Sequence, residues 1–164
     1  MRAVATIGVY GFTAETFLDA LRRAEVRQLL DVRRRRAVRG SEYAWANARR
    51  LQTALADAGV DYRHRLELAP STELLELQHR EDARMGVGPR SRSELAREYR
   101  EPYVHEVLDA VDLGQIVAEM PADGASALMC VERDPKACHR SLIADRLGAE
   151  HGAAVTHLRP GGTG

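Results

Sequence analysis

The chain has 164 residues, 45% hydrophobic and 29% charged, with 24 basic and 24 acidic side chains. That length suits one domain with a full core, and balanced charge with ordinary apolar content excludes a disordered chain. Two cysteines exclude a disulfide scaffold, and no apolar run reaches the roughly 18–20 residues of a membrane helix.

Ala3–Ile7 reads as a short strand ending in Gly8, with Gly11 soon after. Thr13 is a fair N-cap for a helix over Ala14–Ala24, although Thr16 is not the acidic partner of a capping box. Val26–Val32 reads as a second strand. Ala46–Ala58 is helical by spacing and closed by Gly59, and Val60–His64 is a third strand. Ser71 or Thr72 caps a further helix, and the stretch 85–93 is a loop by its Gly and Pro content. Ser93–Tyr99 and Tyr103–Glu119 read as helices broken by Pro102 and Pro121.

Ala125–Glu132 is the clearest strand, with a continuous apolar run from Ala127 to Val131. Such runs suit strands buried on both faces of a parallel sheet. Asp134 caps a helix with Pro135 in its first turn, running to Glu150; Gly152 ends it, and Ala154–Leu158 is a last strand. This alternation predicts a three-layer α/β domain over residues 1–159. Its sheet is mostly parallel, of about five strands, with a helical insertion around 70–120 and a loose tail at 160–164. The start MRAVATIGVYG lacks the pattern of a signal peptide, so a cytoplasmic location and no membrane contact are expected.

Ligands of parallel sheets bind at the carboxyl ends of the strands. That rule directs attention to Gly8–Gly11, Asp31–Arg36, His64–Arg65 and Cys130–Arg140. Cys138, in the first turn of the predicted helix and beside His139 and Arg140, is a candidate thiolate nucleophile; the alternative is a small packing residue. Cys130, at the strand end, is read first as core. Cys130, Cys138 and His139 offer three soft ligands, but the Cys-x7-Cys-His spacing matches none of the compact zinc patterns, and no metal is expected. With Cys138, the residues Glu132, Asp31 and His139 are the catalytic candidates, the two carboxylates for proton transfer, and Gly8, Arg33, Cys130, Arg140 and His64 are candidates for binding the ligand. Asp31 and Arg33 alternate on one side of a strand end, which also suits a structural ion pair. His157 is a second candidate base.

The basic residues are 23 Arg and the single Lys136. Alongside 25 Ala they reflect GC-rich codon usage, so arginine abundance alone argues little. Their placement is uneven: residues 1–100 hold 19 basic and 14 acidic side chains, residues 101–164 hold 5 and 10. The run Arg34, Arg35, Arg36, with Arg39, suits a phosphate or nucleic-acid surface as well as a solvated loop. Gly8-Val9-Tyr10-Gly11 falls short of a dinucleotide fingerprint, and no Walker loop, nucleophile elbow, His-Glu-x-x-His or Cys-x5-Arg signature occurs.

Together these stretches resemble the DUF488 family of bacterial and archaeal domains. The matching residues are Thr6-Ile7-Gly8, Leu30-Asp31-Val32-Arg33, Gly59-Val60-Asp61-Tyr62-Arg63-His64, and Leu128-Met129-Cys130-Val131-Glu132 leading to Cys138-His139-Arg140. The resemblance implies an α/β fold with these segments at one edge and no established reaction. Many members carry a proline and a Ser-Arg pair after the Asp-Val-Arg, where this chain has Arg34–Arg36 and Gly40-Ser41; the usual Leu-Gly after the third strand is here Leu68-Ala69-Pro70. The leading expectation is an enzyme-like pocket for a phosphate-bearing ligand, a nucleotide or nucleic-acid fragment. A non-catalytic nucleic-acid module using Arg33–Arg39 and a thiol redox protein using Cys130 and Cys138 are the alternatives. No cofactor can be named from the sequence.

Overall fold

The computed structural model describes residues 2–88 and 94–163. Its centre is a sheet of five parallel strands, β1 (Ala3–Ile7), β2 (Val26–Asp31), β3 (Asp61–His64), β4 (Ala125–Met129) and β5 (Ala154–Arg159), in the order β3-β2-β4-β1-β5. The strands alternate between two cores. Val4, Leu30, Val32, Leu128 and Cys130 face one layer, and Ala5, Ile7, Leu29, Ala127 and Met129 face the other. Period-two placement on strands covered on both sides turns a continuous apolar run into two packed faces.

The second face is covered by α1 (Ala14–Arg23) and α2 (Ala48–Asp57), through Phe17, Leu21, Leu51 and Leu55. The first is covered by α3 (Thr72–Met85), α4 (Arg97–Glu106), α5 (Leu113–Glu119) and α6 (Arg140–His151). The three-layer α/β architecture is thus the one the alternation predicts. Among the described residues no helix is long and apolar enough to cross a membrane.

Four local readings are corrected. Thr13 and Thr16 do form a capping box, because the Thr16 hydroxyl accepts from the Thr13 N–H at 2.9 Å as a carboxylate would. Pro102 sits inside α4 rather than breaking it. The carbonyl it leaves without a donor belongs to exposed Glu98, while buried Tyr99 and Tyr103 anchor the helix. Residues 108–110 form a 3₁₀ turn between α4 and α5, so the predicted 103–119 helix is two pieces. The tail adds β6 (Gly162–Thr163), antiparallel to β5. Of the predicted 85–93 loop, residues 89–93 lie outside the described residues.

The fold brings the ends of β1, β2 and β4 together. Val9 and Tyr10 N–H groups both donate to the Val131 carbonyl at 2.9 and 3.0 Å, and the Val32 N–H donates to Met129 at 3.1 Å. The chain leaves β1 toward β2 on one side and β4 toward β5 on the other, which makes this the crevice where open α/β sheets bind ligands. Gly8 permits the closest approach: a Cβ there would lie 1.9 Å from the Glu132 carbonyl oxygen. Gly8→Ala is therefore expected to destabilise the fold by about 2 kcal/mol or more in a urea titration, through displaced backbone. An unchanged midpoint would show that the segment after β4 is free to move.

Candidate functional site

Asp31 ends β2 with no exposed surface, and Arg33 folds back onto it. The guanidinium donates to both carboxylate oxygens, Nε to Oδ1 at 2.9 Å and Nη2 to Oδ2 at 2.8 Å. Its Nη1 donates to the Ala46 carbonyl at 3.0 Å. The Tyr62 hydroxyl, from β3, donates to Asp31 Oδ2 at 2.6 Å, and the His64 Nε2–H donates to the Arg33 carbonyl at 2.8 Å. Asp31, Arg33 and His64 are thus mutually engaged in one buried polar knot. Burial and the bond to Asp31 raise the Tyr62 hydroxyl to about 12, against the lowering effect of Arg36.

The second cluster begins where β4 ends. Cys138 does not lie in a helix. Pro135–Ala137 forms a 3₁₀ turn capped by the Asp134 carboxylate, and Cys138 is extended, with φ −136° and ψ 147°. Only then does α6 start, with His139 as its N-cap. The extended residue followed by a helical one brings neighbouring side chains together. His139 Nδ1 lies 3.7 Å from Cys138 Sγ and 3.6 Å from Cys130 Sγ. The other ring nitrogen donates to the Val32 carbonyl at 2.8 Å, which fixes Nδ1 as the nitrogen facing the sulfurs. The ring also rests against Tyr103, itself stacked on Tyr99.

The charges of this cluster are interdependent. Burial alone pushes the Cys138 thiol up, but the bond from Cys130 and the neighbouring His139 and Arg140 outweigh it and hold it well below the ordinary thiol range. Cys130 is pushed well up, by burial first and then by Cys138. His139 is raised: burial lowers it, and the Cys138 sulfur and the Val32 carbonyl overcome that. The Glu132 carboxylate, 3.3 Å from the Cys130 sulfur, is an alternative acceptor for the one Cys130 S–H.

Arg140 turns inward from the first residue of α6 and is fully buried. Its Nη1 and Nη2 donate to the Glu132 and Arg133 carbonyls at 2.8 and 3.3 Å, and no partner meets its Nε. It clamps the segment after β4 against Gly8 and shows no face to solvent. His157 pairs with Thr6 at 2.7 Å and is not among the residues lining the cleft described next.

Both clusters border one open cleft of about 920 Å³. Cys130, Glu132, Cys138 and His139 lie at its floor; exposed Arg34, Arg35 and Arg39 lie along its rim. Arg36 instead donates to the Tyr62 hydroxyl at 3.4 Å. The sequence reading missed the wall supplied by α3, where Gln78, His79 and Asp82 join the lining. It also missed Tyr62, which shares a strand face with His64 two residues on, a period-two signal present in the sequence.

A family model described as "Domain of unknown function DUF488" matches residues 13–147. No curated protein and no solved structure matches the chain.

Two variants test the knots. Arg140→Ala leaves two buried carbonyls without donors and opens a cavity, so a loss of about 3–5 kcal/mol is expected from chemical unfolding; a change under 1 kcal/mol would remove Arg140 from the clamp. The raised Tyr62 makes its contribution fully present below the unfolded value of about 10 and lost as pH climbs from 10 to 12. Tyr62→Phe should flatten part of the fall in unfolding midpoint across that window. An identical fall in the variant would assign it to other groups, Tyr99 and Tyr103 among them.

Proposed function

This chain belongs to the DUF488 family, and we propose that it is an enzyme acting on a phosphate-bearing ligand, a nucleotide or nucleic-acid fragment, held in the cleft over the Cys130–Cys138–His139 floor. The observation that carries this reading is the pairing of one cleft's two edges. Its rim is arginine and its floor is the only group of soft, buried donors among the described residues. Its volume, about 920 Å³, is that of a small-ligand site, for which roughly 300–1,000 Å³ is usual.

The roles follow from exposure and partners. Arg35 is exposed with no bonded partner among the described residues, and with Arg34 and Arg39 it meets the phosphate. The reacting part of the ligand lies over Cys138 and His139. Glu132, half-buried beside Cys130, carries the proton. Asp31, Arg33 and His64 are positioning residues, tied together by the carboxylate–guanidinium pair and by the His64 bond to the Arg33 carbonyl. Arg140 and Gly8 set the height of the floor.

The reading is tested by titrating a nucleoside monophosphate and a labelled duplex oligonucleotide against the wild type, Arg35→Ala and Arg39→Ala. Mononucleotide binding that weakens about tenfold in each variant, about 1.4 kcal/mol, with an unchanged unfolding midpoint, is expected. Duplex binding alone, with a log–log salt slope near −0.9 per phosphate contacted, would replace the enzyme with a nucleic-acid module. No binding of either probe at millimolar concentration overturns the anionic-ligand reading.

A further inference from the structure

We infer that Cys130, Cys138 and His139 form a three-donor site for a zinc-class divalent ion, with a fourth position open to the cleft. The inference goes beyond the ligand reading and does not require it.

The two sulfur–nitrogen separations are those of a tetrahedral face. Bonds of about 2.3 Å to sulfur and about 2.0–2.1 Å to imidazole nitrogen place a tetrahedral ion's sulfur and nitrogen ligands about 3.5–3.6 Å apart, and two sulfurs about 3.8 Å apart. Here Nδ1 stands 3.6 Å from one sulfur and 3.7 Å from the other, and all three donor atoms lie within 4.8 Å of one another.

The surroundings are those of a ligand set. The Val32 carbonyl holds the Nε2–H and so aims the Nδ1 lone pair at the sulfurs, the arrangement that orients metal-binding histidines. The Cys130 N–H is tied to the Ile7 carbonyl at 3.1 Å, and the turn before Cys138 is pinned where the Leu95 N–H donates to the Lys136 carbonyl at 2.9 Å. All three side chains are buried. Two thiolates and a neutral imidazole balance a divalent charge.

The spacing hid this site because compact zinc motifs put their cysteines in one turn. Here the two cysteines come from different elements, the end of β4 and the residue before the N-cap of α6. Three protein donors and a free fourth position make a site for water or substrate rather than a closed structural site. Glu132 beside it is suited to move that water's proton.

The test is zinc itself. The full-length chain, purified under reducing conditions and stripped with a chelator, is titrated with Zn²⁺ in competition with a chromogenic chelator, and separately with Co²⁺. One ion per chain is expected, with an intense near-ultraviolet sulfur-to-cobalt band. Cys130→Ser and Cys138→Ser should each weaken zinc by more than about a hundredfold, since orienting groups alone are worth ten- to a hundredfold. Glu132→Gln should keep the ion.

Should either serine variant fail to fold, the wild-type cobalt spectrum still decides: no sulfur band, or less than a tenth of an ion bound at micromolar zinc, overturns the site. Loss of zinc in Glu132→Gln overturns the open fourth position. Measuring nucleotide binding with and without zinc separates the two readings. Zinc bound at the sulfurs with no nucleotide affinity sustains this inference and removes the ligand assignment; nucleotide affinity without zinc does the reverse.

Discussion

A buried guanidinium organises this end of the sheet. Arg140 has no exposed surface, and it spends two of its nitrogens on the carbonyls of Glu132 and Arg133. An uncompensated buried charge is costly, so its surroundings must be anionic or richly dipolar. The protein supplies backbone carbonyls, and the positive charge in turn helps to lower the Cys138 thiol. The position of Glu132 and its closeness to Gly8 depend on this one side chain, which also adds to the lowering of the Cys138 thiol by Cys130 and His139.

The two polar clusters divide the labour of the cleft. Asp31 and Arg33 are bound to each other through both carboxylate oxygens, and they fix the strand end from which the Val32 carbonyl reaches His139. One knot therefore aims the other. The second lines the floor of the cleft with Cys130, Cys138 and His139, with Glu132 alongside.

The frame of the fold was legible because burial is written in the sequence as periodicity. The apolar run around Ala127–Val131 and the strand–helix alternation were enough to place five parallel strands and the edge where their ends meet. The strand-end position of the candidate residues was legible, and the surroundings of each side chain were less so. Arg140 looks like an anion binder in the sequence, because no spacing rule shows that its side chain turns inward. Cys138 looks helical, because Asp134-Pro135 starts a 3₁₀ turn and an α-helix with the same residues. The meeting of Cys130 with Cys138 depends on a tertiary turn that no compact motif encodes. Pro102 reads as a break, yet it is tolerated where the freed carbonyl is exposed and two tyrosines hold the helix.

Trp45 is the chain's one tryptophan, and it lies on the far side of the sheet from the sulfurs. It packs 4.9 Å from Phe17, in the layer formed by α1 and α2. The neighbouring Ala46 carbonyl, however, is the one that Arg33 holds. The single indole is thus blind to direct contact with anything in the cleft and wired to it through one hydrogen bond and one ion pair. A shift of the Asp31–Arg33 knot would therefore be carried by that bond to the residue beside the indole, which makes Trp45 emission the natural place to look for it.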